Sequence, residues 1–223
     1  MKYTTIIILT FTALIYSCAP TRVVKPLKKG EKTVSFHAGG PMIRYSNLNI
    51  PVPFTSIMGA WGFTNDLTFF NAIHTTSLLY KTVHTEFGTL INLYDPKCYS
   101  YRPWVTLSHV ANIVFDTRKF NVKYWPQLDL NAYWHYKQKD SYFYLGVSNW
   151  FEFSSHKAHE EKQNEQLYIS PYAGHTFVRK KMEYTLEYKL LAPHVSNQLS
   201  VVEKKSFGSK GVNAFYINIT RKF

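Results

Sequence analysis

The sequence predicts an all-β chain that closes into a single antiparallel up-and-down transmembrane β-barrel of about ten strands, with eight and twelve as the neighbouring even counts. Three observations carry this. Apolar and polar residues alternate with period two through most of the chain after residue 33, the longest alternating run exceeds an ordinary soluble strand, and the connections between runs alternate short and long. Nowhere after residue 17 do eighteen apolar residues run together, so the sequence offers no membrane-spanning helix there. If such a chain crosses a bilayer it must do so with strands, because only closure of a sheet satisfies every backbone polar group in hydrocarbon.

Residues 1–17 read as a targeting segment, with Lys2 as the basic start and an apolar core over residues 6–15. The following Ile15-Tyr16-Ser17-Cys18 resembles the lipobox of bacterial lipoproteins. That resemblance implies cleavage before Cys18 and a diacylglycerol and an N-acyl chain such as palmitate on it, with no other cofactor. Residues 18–32 carry two prolines and the basic Arg22, Lys25, Lys28, Lys29 and Lys32, and are expected to be a flexible lipidated tether. Each cation near an anionic lipid surface is worth about 1 kcal/mol. The net charge of +12 therefore suits head groups, while the export signal argues against nucleic acid as the partner. Beyond Cys18 the only cysteine is Cys98, so no disulfide forms within the domain, expected as one unit over residues 33–223.

Strands are expected at 33–41, 55–64, 67–80, 85–94, 103–116, 119–137, 141–154, 167–179, 182–192 and 211–223. The clearest run is 120–136, where Phe120, Val122, Tyr124, Pro126, Leu128 and Leu130 face away from Asn121, Lys123, Gln127, Asp129 and Asn131. Residues 67–80 also fit a helical face through Leu67, Phe70, Ile73, His74, Ser77 and Leu78, but dense threonines and aromatics favour a strand. With the N-terminus periplasmic, the outward connections 41–54, 155–166 and 193–210 are long. Most inward ones, 65–66, 138–140 and 180–181, are short, and 95–102 is the exception. Aromatic residues make up 17% of the chain and many fall near strand ends, where rings settle at a membrane interface.

The last strand places Phe215, Ile217, Ile219 and Phe223 on one face, which resembles the C-terminal signal that the barrel-assembly machinery reads in bacterial outer-membrane barrels. Gly62-Phe63-Thr64-Asn65-Asp66-Leu67 likewise looks like a tight periplasmic hairpin. With the lipobox, the chain is similar to lipid-anchored outer-membrane barrels of the Bacteroidota type. Ala19, Pro20, Thr21 and Arg22 hold no acidic cluster, and in such proteins this implies an anchor in the periplasmic leaflet. The resemblance also implies outer-membrane lipids and lipopolysaccharide as surroundings. Barrel-assembly and lipoprotein-sorting machinery would be its partners in biogenesis, and an envelope protein a binding partner.

Chemistry-bearing candidates are few. His194-Val195-Ser196-Asn197 resembles the His-x-Ser-Asn of outer-membrane lipid A deacylases; that implies Ser196 as nucleophile, His194 as base and, as the orienting acid, Glu203. The ordinary reading of these residues is a polar loop. His156 and His159 beside Glu160 and Glu161 carry metal-binding donors, against the alternative of a solvated charged loop. Lys123, Gln127, Asp129, Asn131, His135, Glu152, Glu183, Glu187 and Lys189 are expected on inward faces as a hydrogen-bonded lumen network, with a narrow pore as its functional alternative. No phosphate loop, CxxC or recognisable carboxylate pair appears, so the expectation is a non-enzymatic structural, envelope-associated or partner-binding barrel. A periplasmic lipocalin-like carrier is the remaining rival, and it requires the facing of Leu128 and Asp129 to be reversed.

Overall fold

The structure is a computed structural model, and it describes residues 23–45, 48–96, 101–136, 140–155, 162–197, 206 and 208–223, with the side chain of Tyr45 excepted. The chain order is β1 (Lys32–Tyr45), β2 (Leu48–Pro51), β3 (Phe54–Gly62), β4 (Leu67–His74), α1 (Thr75–Leu79) and β5 (Thr82–Tyr94). There follow β6 (Trp104–Asp116), β7 (Val122–His135), β8 (Tyr142–Phe151), β9 (Leu167–Arg179), β10 (Met182–Ser196) and β11 (Lys210–Lys222). Each strand pairs antiparallel with its neighbour, and β11 returns to β1 along a register running from Thr33 opposite Lys222 to Pro41 opposite Ala214. Ten strands thus close the wall, and β2 stands outside it as a short hairpin partner of the upper part of β1. Closure leaves the barrel strands with no free edge, which is what a sheet in hydrocarbon needs.

Side-chain facing follows the period-two pattern. Asp129 is 2% exposed in the lumen while Leu130, the next residue on β7, is 47% exposed on the outer face, where half-buried Leu128 also points. Phe36, Ile57, Phe87, Leu145 and Ile217 stand on the same exterior. The lipocalin-like rival, which needs the greasy side inward, is overturned by this facing. At the short-turn end Trp61 meets Phe63 edge-on with centroids 5.6 Å apart, and Trp134 stacks on Phe143 at 5.1 Å. Rings of this kind suit the boundary between hydrocarbon and water.

Three expected elements differ. The strand expected over 67–80 stops at His74, and Thr75–Leu79 forms one helical turn across the loop end, so the helical periodicity seen there was genuine for its second half. The loop expected over 41–54 is instead the β1–β2 hairpin, with Met42 opposite Pro51 and Tyr45 opposite Leu48.

The third difference concerns the tether. Its residues 23–31 do not hang below the barrel but cross the lower lumen as a strap. Val24 and Leu27 are buried, Val24 among Tyr133, Tyr142, Tyr144 and Tyr172, and Leu27 among Met58, Phe70, Leu90 and Val110. The Leu27 amide donates to Thr68 Oγ1 at 2.9 Å, and Thr106 Oγ1 donates to the Val24 carbonyl at 2.8 Å. Gly62 makes this approach feasible, because a Cβ there would lie 2.1 Å from the Lys28 carbonyl oxygen. Basic composition suggested a flexible tether, but Val24 and Leu27 interleave the cations and bury, with Val23 half-buried beside them.

Candidate functional site

The lumen is where the sequence concentrates its polar chemistry, and a ten-stranded wall leaves more interior than an eight-stranded one, which side chains just fill. Large rings occupy the extra width. Tyr172 of β9 lies against Gly146 of β8, and Tyr144 of β8 lies against Gly174 of β9, each pair being register partners. A Cβ on either glycine would sit 2.2 to 2.3 Å from the opposing ring, so the two Tyr-x-Gly steps form a reciprocal socket.

Hydrogen bonds then join the rings to the buried charges. Tyr144 donates to Glu187 Oε2 at 2.7 Å and Tyr172 to Asn131 Oδ1 at 2.5 Å. Lys189 Nζ lies 3.8 Å from Glu187 Oε1 and 4.8 Å from the Tyr172 ring centre, so its buried charge meets both a carboxylate and a π face. Elsewhere on β7, Gln127 Nε2 donates to Asp129 Oδ1 at 2.8 Å and to Ser148 Oγ at 3.0 Å, while its Oε1 accepts from Asn112 Nδ2 at 3.3 Å. Trp125 Nε1 donates to Glu152 Oε2 at 2.7 Å.

Six of the expected network residues, Gln127, Asp129, Asn131, Glu152, Glu187 and Lys189, therefore sit buried in the lumen. Glu183 lies at the lower mouth, where Lys222 Nζ approaches it to 2.7 Å and Glu31 to 3.6 Å. His135 is half-buried at the same end, edge-on to Trp104 with centroids 5.0 Å apart. Lys123 is the exception: it lies near the loop end of β7, opposite Val114 of β6, and is exposed with its ammonium 5.8 Å from the Trp125 ring centre. Its inward parity was right but its height was not.

Beside the strap, at the short-turn end, lies a cavity of about 250 Å³, walled by Thr33, Ser35, Thr176, Thr185 and Asn218, with Lys25, Glu183 and Lys222 at its charged end. Burial pulls the Lys25 amine below its usual pKa, with Lys222 acting in the same sense and Asp140, Glu183 and Glu31 opposing.

The hydrolase candidate finds no support in its placement. His194 is exposed at the loop end of β10, and its Nε2 donates to the Leu167 carbonyl at 2.9 Å, so the nitrogen that would accept a serine proton already carries one. Ser196 closes the same strand, while Glu203, His156, His159 and Cys18 lie outside the described residues. Phe215, Ile217 and Ile219 occupy the outer face of β11 and Phe223 follows it.

One cluster was missed by sequence reasoning. His74 on β4 and His84 and Glu86 on β5 are all buried on the lumen side near α1. His74 Nε2 is 2.5 Å from Glu86 Oε1, His84 Nε2 is 4.0 Å from the same oxygen, and the two imidazoles stack with centroids 3.9 Å apart. The signal was His-x-Glu in phase with the inward positions of β5. Starting that strand at 85 instead of Thr82 hid it.

No protein-family model and no curated protein matches the sequence. Among solved structures the chain is similar to an outer membrane channel from Pseudomonas putida F1, at 10% identity and a TM-score of 0.44, covering 92% of this chain and 100% of that one. It is also similar to the translocator domain of the autotransporter NalP from Neisseria meningitidis, at 10% identity and a TM-score of 0.38, covering 100% of this chain and 95% of that one. A third is the outer membrane protein OprG from Pseudomonas aeruginosa, at 9% identity and a TM-score of 0.32, covering 90% and 99%. Likenesses this distant carry no functional argument, which rests on the barrel's own geometry.

Proposed function

We propose that this chain is a lipid-anchored barrel of the bacterial outer membrane with a structural, envelope-associated or partner-binding role, and that its lumen is closed. The observation that carries the reading is the inversion across the wall: buried Asp129 inward, exposed Leu130 outward. A protein in water gains nothing from a continuous greasy exterior around charged contents, whereas a bilayer requires it.

The anchor fits this geometry. Only residues 19–22 separate Cys18 from Val23, and five chain steps reach at most about 18 Å. A lipid on Cys18 would therefore enter the leaflet beside the strap-closed mouth. That mouth carries the first and last described residues, Val23 and Phe223, and most short turns, the arrangement expected of a periplasmic face, which supports the periplasmic leaflet. Closure is supported by the strap, by the reciprocal Tyr144 and Tyr172 sockets, and by the bonded pairs above them.

The test joins fractionation to electrophysiology. Mass spectrometry of Cys18 from outer-membrane fractions should find acyl chains, and Cys18→Ala should lose them. Planar bilayers holding the wild type should stay electrically silent. A wild type that conducts steadily overturns the closed lumen; an unacylated Cys18 overturns the anchor.

A further inference from the structure

We infer that His74, His84 and Glu86 form a binding site for a borderline divalent transition metal, Zn²⁺ or its neighbours Ni²⁺ and Cu²⁺, inside the barrel wall beneath α1. The placement comes from the ladder. On β5 a His-x-Glu spacing sends both side chains into the lumen. On β4, Ile73 opposes Thr85, so the next pair brings His74 opposite His84. Directly opposed positions hold their Cβ atoms about 4.5 to 5.5 Å apart. Three donors therefore arise from two hydrogen-bonded strands, a stiffer platform than a loop supplies.

The surroundings hold this platform. Ser77 Oγ of α1 donates to the His74 carbonyl at 2.6 Å and accepts from the His84 amide at 3.2 Å, so one hydroxyl ties both histidines' main chains together. All three donor groups lie within 4.8 Å of one another, and Glu86 is 1% exposed. Tetrahedral Zn²⁺ with bonds of about 2.0 to 2.1 Å spaces its ligand atoms roughly 3.3 Å apart. The separations of 2.5 Å and 4.0 Å to Glu86 Oε1 bracket that value. The imidazoles stack with 7° between their planes, so their lone pairs run side by side; turning one ring about its Cβ–Cγ bond makes them converge.

Chemistry selects the ion. Two imidazoles and one carboxylate suit Zn²⁺, Ni²⁺ or Cu²⁺, whereas Ca²⁺ and Mg²⁺ prefer oxygen sets. A fourth position falls to solvent or to Asn112 Oδ1, which lies 3.4 Å from His84 Nε2. A dication would also meet the buried Glu86 carboxylate with opposite charge. Access is from the loop end, where both histidines sit beside α1.

The experiment uses the mature protein, folded in detergent and purified without a histidine tag, titrated with Zn²⁺ and, for spectroscopy, Co²⁺. One equivalent should bind. His74→Ala, His84→Ala and Glu86→Gln should each weaken binding by roughly tenfold or more. His175→Ala, on another strand, should leave it unchanged. Retention of the heat-modifiable gel shift reports folding of each variant. Should the alanine variants fail to fold, X-ray absorption of the Zn²⁺-loaded wild type decides, since two imidazoles in the scattering support the site and none overturns it. The proposal is equally overturned if the folded wild type binds no stoichiometric metal, or if a folded His74→Ala/His84→Ala protein binds as the wild type does.

Discussion

Leu186 sits midway along the ladders that β10 makes with β9 and β11, opposite His175 and Ile217, and is 54% exposed on the outer wall. Replacing it with arginine tests whether that wall meets hydrocarbon. Fully burying a leucine is worth about 1.5 to 3 kcal/mol, so surrendering its exposed half to a polar group costs about 1 to 1.5 kcal/mol. An arginine near the bilayer midplane adds about 2 to 4 kcal/mol. The guanidinium cannot escape into the lumen, because its neighbours Thr185 and Glu187 already take the inward face. Leu186→Arg should therefore destabilise the barrel by about 3 to 5.5 kcal/mol, with Leu186→Ile as a near-neutral control. Denaturant titration in phospholipid vesicles, read by tryptophan fluorescence and by the heat-modifiable gel shift, measures the difference. On a water-facing surface the same change stays within about 0.5 kcal/mol. A loss that small, or a variant that remains monodisperse without detergent, would refute the membrane reading of the exterior.

Further outcomes follow from the lumen. Lys189→Met should cost about 3 to 5 kcal/mol by removing the cation beside buried Glu187, which keeps the Tyr144 hydroxyl but loses its counter-charge, and adding Glu187→Gln should recover most of it; independent losses in a double-mutant cycle would dissolve the pair. Gly146→Ala should cost about 1 to 3 kcal/mol by driving a methyl into the Tyr172 ring, with Tyr172→Leu relieving part of it in the same unfolding assay. Lys25 gives the pH dependence. Burial lowers its folded pKa, so between that lowered value and its ordinary one the unfolded chain holds a proton the folded chain lacks. Stability from this group then rises with pH across that alkaline window. Lys25→Met should raise the unfolding midpoint at neutral pH and raise it less in alkali, and an advantage that grew with pH would contradict the assignment.

Wall and content were legible for the same reason: alternation reports facing directly, so Gln127, Asp129 and Asn131 could be set inside before any register was known. Strand ends were less legible, since they depend on where hydrogen bonding stops and not on periodicity. That is why β5 begins at Thr82, three residues before its expected start, and why His84 escaped notice. The strap was illegible on composition. Its prolines and lysines imitate a linker, and only partners as remote in sequence as Thr68 and Thr106 reveal that Val24 and Leu27 are buried. Lys123 failed in a simpler way, because parity along a strand says which face a residue takes and nothing about its height.

The strap also constrains the order of assembly. It precedes β1 and bonds to the early strands through Gly30 with Gly62 and Leu27 with Thr68, yet it also touches Tyr142 and Tyr144 on the far wall. The seam joins the first strand to the last, so the cylinder cannot be sealed until synthesis has delivered both. A segment already fastened to the opening strands is then wrapped as the later ones curl round it, and needs no passage through a finished hole. On this view the N-terminal leader strip serves as a mandrel on which the remaining wall is wound, and its loss should slow insertion more than it weakens the completed protein.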